Sequence, residues 1–229
     1  MDDITILYVT ANELPQEWMD FQIGHLLQAA KGAKIISLSR KPMDLGTNVL
    51  DGDVKSYWNI YSQMLRGALL ATTPYVAMAE DDVLYTVAHF DEYRPQPDAV
   101  AYDRSRWSLF TWEKEPMYCV RQRLSNCSLI APRELLIQKI TERQEKWPTG
   151  APHHLVGEVG REKVEKKLGV SVTKCEEWYS YGPIVQLNHE FATEDRQKTK
   201  WKRHGQIRAY DIPHWGRASD LVKRFKESR

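Results

Sequence analysis

The apolar positions of this chain change period as it runs. Ile4 to Thr10 (ITILYVT) is a β-branched apolar run, which predicts a buried strand, and Ala11-Asn12-Glu13-Leu14-Pro15 closes it as a turn. From Trp18 to Ala30 the spacing turns helical, with Met19, Ile23, Leu26, Leu27 and Ala30 on one face. Lys34 to Ser39 (KIISLS) is a second strand, stopped by Arg40-Lys41-Pro42. A strand–helix–strand opening predicts a parallel sheet with right-handed crossovers. After a loop over residues 44–53, a helix is expected from Val54 to Ala71. Ile60, Met64, Ala68 and Ala71 form its apolar face; Ser56, Asn59, Gln63 and Arg66 form a polar one. Thr73-Pro74 ends the helix, and Tyr75 to Ala79 (YVAMA) is a third buried strand that runs into Glu80-Asp81-Asp82.

The second half is less regular. Residues 91–98 (DEYRPQPD) read as a linker, residues 99–112 contain strand-like stretches, and Leu124 to Ile130 predicts another strand. Pro132 stands where a helix carrying Leu135, Leu136 and Ile140 would start. WPTGAP is a loop, Arg161 to Leu168 a short charged helix, and Pro183 to Leu187 a last strand. The expected fold class is therefore α/β: a mostly parallel, Rossmann-type sheet flanked by helices. One domain spans residues 1–193, with halves 1–90 and 98–193, and a basic aromatic tail or lid spans residues 194–229.

Composition changes this picture only at the tail. With 229 residues, 42% hydrophobic and 28% charged, the chain suits one substantial globular domain. No apolar run reaches the roughly 20 residues of a membrane span, and the acidic start MDDITILYVT is not a secretory signal. Cys119, Cys127 and Cys175 lack CxxC spacing and read as reduced thiols in a cytoplasm, not as a zinc site. The net charge is +1, yet residues 194–229 hold eleven Lys/Arg against five Asp/Glu, about +6, interleaved with Trp201, Tyr210, Trp215 and Phe225. Basic groups beside aromatic ones suit a polyanion with bases to stack; a solvated, partly helical terminus is the plainer reading.

The acidic triplet is the candidate chemistry. Adjacent like charges raise one another's pKa unless a cation intervenes. On an extended backbone Glu80 and Asp82 would face one side and Asp81 the other. Ligand sites in parallel α/β sheets lie beyond the carboxyl ends of the strands, where this cluster falls. Hard oxygen ligands select Mg²⁺ or Mn²⁺, which keep phosphate oxygens as partners. The chemistry expected is stabilisation of a diphosphate leaving group. A polar turn that merely ends a strand is the bland alternative.

The stretch from Ile4 to about Ile140 resembles the GT-A fold nucleotide-diphospho-sugar glycosyltransferases. The likeness rests on an apolar strand ending in a DXD-type motif, here AMAEDDVLY, and on NCSLIAPRELL, which is similar to that family's strand and "R-E-L-L" helix beside the acceptor. The resemblance implies that Asp82 ligates the metal and that Glu80 and Asp81 contact the donor or support the ligand shell. It places Thr10, Asn12 and Glu13 at the base and ribose, with Ser39 and Arg40 as further nucleotide contacts. Arg66 becomes a diphosphate or donor-sugar contact, unless it only pairs with a surface acid. His189 in VQLNHEF is the candidate for a further metal ligand or phosphate contact.

Catalytic candidates are Glu158, as the base an inverting transferase needs, and Asp81; Asp103, Glu113 and Glu115 compete for the base. His153 could face an acceptor or be an ordinary loop histidine. Arg196, Lys198 and Lys200 could neutralise a departing diphosphate, and the tail could equally dock an anionic acceptor. Two acceptors are weighed. One is a hydroxymethylated DNA base, as for viral DNA-modifying enzymes, with Lys200, Lys202 and Arg203 on phosphates and Trp107, Trp112 or His153 receiving the flipped base. The other is a saccharide or glycolipid stacking on the same tryptophans. The nucleic acid is preferred, with a UDP-linked donor, Mn²⁺ or Mg²⁺, no membrane, and a cytoplasmic setting (the host's, if viral). A metal-dependent nuclease or nucleotidyltransferase and a non-catalytic nucleic-acid-binding module are the readings of another class.

Overall fold

The computed structural model describes residues 1–52, 56–190, 192 and 205–228. The first half runs β1 (Ile4–Thr10), α1 (Gln16–Ala30), β2 (Lys34–Ser39), β3 (Thr47–Leu50), α2 (Tyr57–Leu70), β4 (Tyr75–Glu80), β5 (Val83–Leu84) and α3 (Val87–Asp91). Then follow β6 (Ala99–Asp103), β7 (Arg106–Phe110), β8 (Tyr118–Val120), β9 (Leu129–Pro132), α4 (Arg133–Lys146) and α5 (Glu162–Leu168). The chain closes with β10 (Lys174–Trp178), β11 (Ile184–Asn188), β12 (Arg208–Ala209), β13 (Asp211–Ile212), β14 (Gly216–Arg217) and α6 (Ala218–Glu227).

Among the described residues the main sheet has seven strands in the order β10-β6-β9-β4-β1-β2-β3. β1 pairs in parallel with both β2 and β4, and β9 is the antiparallel member, inserted between β4 and β6. The α/β class and the mostly parallel sheet stand as the sequence predicts. The apolar runs are continuous because the sheet is covered on both faces. Ile4, Ile6 and Tyr8 of β1 with Ala77 and Ala79 of β4 face one core; Leu7 and Val9 with Val76 and Met78 face the other. On the second side α2 packs so closely that a Cβ on Gly67 would lie 3.0 Å from Leu7 and 3.1 Å from Leu38. A larger residue there would press on both leucine side chains, so glycine suits that approach.

A second sheet, β12-β8-β7-β11-β5, lies outside the sequence expectations. It brings β11 beside β5, immediately after the acidic triplet, through Val185 opposite Leu84 and Gln186 opposite Val83. The expected strand at Leu124–Ile130 is a short 3-10 turn (Asn126–Ser128) followed by β9. The expected basic aromatic tail is described only over residues 205–228. Residues 193–204 lie outside the described residues, and so do Lys200, Lys202 and Arg203. Residues 205–228 fold back onto the domain: Ile212, Trp215, Ala218, Leu221, Val222 and Phe225 are buried in the same core as Trp18 and Tyr8. α6 presents Ala218, Leu221, Val222 and Phe225 inward at helical spacing and its lysines outward. Two of the aromatics expected to stack on bases, Trp215 and Phe225, are therefore core residues. No described helix is long and apolar enough to cross a membrane.

Candidate functional site

β1 and β4 end side by side, and their carboxyl ends open onto a cavity of about 260 Å³. Its walls bring together Thr10 and Glu13 from the first strand end, Arg40 from the second, the whole triplet Glu80-Asp81-Asp82, and, from far along the chain, His153, Glu158 and His189. The strand stops at Glu80 and a turn follows, so the two-sided alternation does not extend into the triplet and all three residues line the cavity.

The triplet is clamped from beneath. Thr10 Oγ1 donates to Asp81 Oδ2 at 2.5 Å, and the backbone N–H of Asn12 donates to the same hydroxyl at 2.9 Å. Trp18 Nε1 donates to the Asp81 carbonyl at 3.3 Å. Gln22, polar yet fully buried on α1, donates to the carbonyls of Glu80 (3.3 Å) and Val83 (2.9 Å) and accepts from the Tyr8 hydroxyl (3.0 Å). Burial, reinforced by the Asp81 and Asp82 charges, holds that Tyr8 hydroxyl far above its ordinary pKa. Asp82 is buried, its carbonyl accepts from Leu187 N at 2.8 Å, and its Oδ2 lies 3.8 Å from His189 Nε2. His189 is buried too and packs on Phe225 of α6, with ring centroids 5.6 Å apart.

Among the described residues no three His, Cys, Asp or Glu side chains converge as a complete metal cage. Two ligands still suit a hard divalent ion, which commonly keeps waters and substrate phosphates for its other positions. Atoms bound to one octahedral ion at about 2.1 Å lie about 3.0 Å apart when cis and about 4.2 Å when trans. The Asp82–His189 separation of 3.8 Å matches neither value, so sharing one octahedral ion as cis ligands would draw the two side chains about 0.8 Å closer. Carboxylate and imidazole together fit Mn²⁺ at least as well as Mg²⁺.

The opposite wall is a loop pinned by a buried ion pair. Arg143 of α4 donates to the carbonyls of Gly157 (2.8 Å) and Glu158 (3.2 Å) and to Glu165 Oε1 (3.0 Å). Tyr61, its hydroxyl pushed up to about 12 chiefly by burial, also donates to the Gly157 carbonyl at 2.6 Å. Gly160 takes φ +80°, and a Cβ there would lie 2.9 Å from Val100, so glycine is required. Glu158 thus reaches the cavity from a fixed backbone, with Arg161 3.4 Å from its carboxylate.

Several expected contacts are not brought to the cavity. Asn12, at φ 51°, accepts from the backbone N–H groups of Arg40 (2.8 Å) and Lys41 (2.9 Å) and so ties the first strand end to the second. Ser39 is buried, donating to the Lys41 carbonyl and accepting from Asn48. Arg66 pairs at 3.1 Å with Asp51, a buried acid that also accepts from Asn59. Trp107 packs edge-on against Tyr118, and Trp112 against Phe110, away from the cavity. Asp103 is sealed against His89 at 3.0 Å, and neither Glu113 nor Glu115 lines the cavity. The side chains that do line it and were not foreseen include Tyr57, Gln63, Arg123, Ser125, Asn126, Arg161 and Gln186. Gln186 carried a signal, a polar residue between apolar Val185 and Leu187 in a predicted strand; Asn126 opened the quoted NCSLIAPRELL stretch, and residues 123–125 carried none.

No family model matches the chain, and no curated protein matches it. Similar solved structures include the apo glycosyltransferase GlyE of Streptococcus pneumoniae TIGR4, 13% identical with TM-score 0.45, over 76% of this chain and 45% of that one. A mutant Drosophila beta-1,4-galactosyltransferase 7 in complex with manganese, UDP-Gal and xylobiose is 11% identical, TM-score 0.46, over 89% and 76%. The 2-C-methyl-D-erythritol 4-phosphate cytidylyltransferase of Thermus thermophilus is 11% identical, TM-score 0.48, over 82% and 94%. The chain thus spans about half the length of GlyE, and likenesses this distant establish no kinship.

Proposed function

We propose that the chain is a metal-dependent glycosyltransferase that moves a sugar from a nucleotide diphosphate, expected to be UDP, to a hydroxyl acceptor. The observation that carries this reading is the meeting, in one cavity at the carboxyl ends of β1 and β4, of the acidic triplet with Glu158 and His189. Asp82 and His189 would hold the divalent ion, which when bound supplies positive charge to stabilise the departing diphosphate. Thr10, Glu13 and Arg40 line the end of the cavity beside the first two strands and take the nucleoside, while Glu80 and Asp81 orient the sugar. Thr10 holds Asp81 in one rotamer for that purpose.

Glu158 acts as general base. Its carboxylate takes the proton of the acceptor hydroxyl, whose oxygen forms a bond to the anomeric carbon. The bond from that carbon to the β-phosphate oxygen breaks, and its electron pair leaves with the nucleotide diphosphate. The mouth also carries Arg123, Arg161, His153 and Tyr57, the last two edge-to-face at 5.7 Å. Cations beside aromatic rings favour a phosphate-bearing acceptor with a planar base, and hence hydroxymethylated DNA over a neutral saccharide.

Incubation with Mn²⁺ and radiolabelled UDP-sugars tests the reading, with 5-hydroxymethylated DNA and an oligosaccharide in separate arms. Label is expected on the DNA, and Asp82→Asn should slow release of UDP by ~100-fold or more. Label on the oligosaccharide alone would replace the acceptor and keep the enzyme class. Strand cleavage, or no turnover of any nucleotide sugar, would overturn the class itself.

A further inference from the structure

Arg106 is a buried cation, 2% exposed, and its two hydrogen bonds go to neutral oxygens. Nη1 donates to Gln186 Oε1 at 2.7 Å and Nη2 to the Arg123 carbonyl at 3.0 Å. A buried guanidinium normally has a carboxylate against it. Here no ion pair joins Arg106 to any described acid, and the next polar group beyond Gln186 is Asp82, whose Oδ2 lies 3.5 Å from Gln186 Nε2. The chemistry fixes the direction of this chain. A guanidinium has only donors, so the Gln186 oxygen must turn towards it, and the amide N–H₂ is forced to face the Asp82 carboxylate. Arg106 therefore reaches Asp82 through one oriented amide.

We infer that Arg106 and Gln186 form a relay that positions the carboxylate of Asp82 for a divalent cation, and that Arg106 is the positioning residue at its root. The inference rests on the metal-dependent reading above. The Gln186 amide lies 3.5 Å from Oδ2 on one side, which biases the rotamer of Asp82 with its Oδ2 towards His189. The same guanidinium pins the loop carbonyl at Arg123, so both walls of the cavity share this support. Partners behind a metal ligand that fix its orientation typically account for about 10- to 100-fold in metal affinity.

The test measures Mn²⁺ binding, alone and with UDP, from the electron paramagnetic resonance signal of the free ion, alongside Tm. Gln186→Met keeps the side-chain length and removes the amide; it should lower Tm, because Arg106 loses its better acceptor, and weaken Mn²⁺ binding by about 10- to 100-fold. The double variant Arg106→Met with Gln186→Met takes away the stranded charge and should recover Tm while Mn²⁺ binding stays weak. A purely structural role predicts that affinity recovers with Tm. Recovery of both, or unchanged affinity in the single variant, overturns the relay. Failure of the wild-type chain to bind Mn²⁺ with UDP overturns the metal-dependent reading and the relay with it.

Discussion

Glu165→Gln is the sharpest probe of how the wall carrying Glu158 is held. Glu165 Oε1 accepts from Arg143 (3.0 Å), Gly160 N (2.9 Å) and Thr173 Oγ1 (3.0 Å), while Oε2 accepts from Thr173 N (2.8 Å). Both members of the ion pair have side chains only 1% exposed. The substitution keeps the shape but leaves Arg143 as an uncompensated buried charge, and it sets an amide N–H₂ against the N–H of Thr173. Breaking one partner of a buried pair costs about 3–5 kcal/mol. For a chain of this size each kcal/mol lowers Tm by about 2–4 °C, so the melt should drop by about 6–20 °C. A thermal melt followed by circular dichroism reads this directly. Replacing both residues, Arg143→Met with Glu165→Leu, should recover much of the loss, because apolar pairs of similar volume are tolerated there. A single variant melting within about 2 °C of wild type would refute the reasoning; so would a double variant no better than the single.

Other substitutions reach the remaining supports. Thr10→Val removes the hydroxyl bonded to Asp81 and Asn12; it should cost about 1–3 kcal/mol and raise KM for the donor, checked by urea titration and initial rates. Phe225→Ala empties the contact between α6, Trp18 and His189, and a urea titration should read a loss of about 3–5 kcal/mol. A loss below ~1 kcal/mol would mean that the C-terminal helix is an appendage after all. Asp103 supplies an acid-side prediction. Burial pushes its carboxyl up, but hydrogen bonds from His89, Ser105 and Ser180 outweigh it, so the folded pKa lies below the ordinary 3.8. Its contribution is complete above that value and disappears as pH falls through the lowered one. Asp103→Asn should therefore lose stability at neutral pH and show a flatter decline below about pH 4 in acid-denaturation curves.

The parts of the fold legible in the sequence are those with a strong period. β1, β2 and β4 are mostly apolar because both faces of the sheet are covered, and α1 and α2 form where their helical stripes predict. Leu27, expected on the inner face, is nonetheless exposed, and Asn59 and Gln63, from the polar face, are buried. The acidic triplet was visible because it interrupts such a run at its carboxyl end. The second sheet was not visible, since β7 (RWSLF) and β8 (YCV) are short and mix polar with apolar residues. α6 had the pattern, with apolar residues at 218, 221, 222 and 225, but its lysines and arginines dominated the reading as a basic tail. Buried polar residues were the systematic blind spot. No role was expected of Gln22, Gln186, Arg106 or Glu165, yet each is buried because a specific carbonyl, amide or charge awaits it. Asn12, Ser39 and Arg66 were correctly placed near strand ends and helix faces, but sequence could not reveal that loop backbones and Asp51 already engage them.

The central claim is that a divalent ion and a diphosphate meet at the end of β4. The most direct measurement is a crystal structure of the chain grown with Mn²⁺ and UDP, with manganese located by its anomalous signal. The account predicts one strong peak within about 2.0–2.3 Å of the Asp82 carboxylate and of His189, with the diphosphate oxygens completing its shell. A peak elsewhere, or UDP bound in this cavity with Asp82 turned away from any metal, would contradict it.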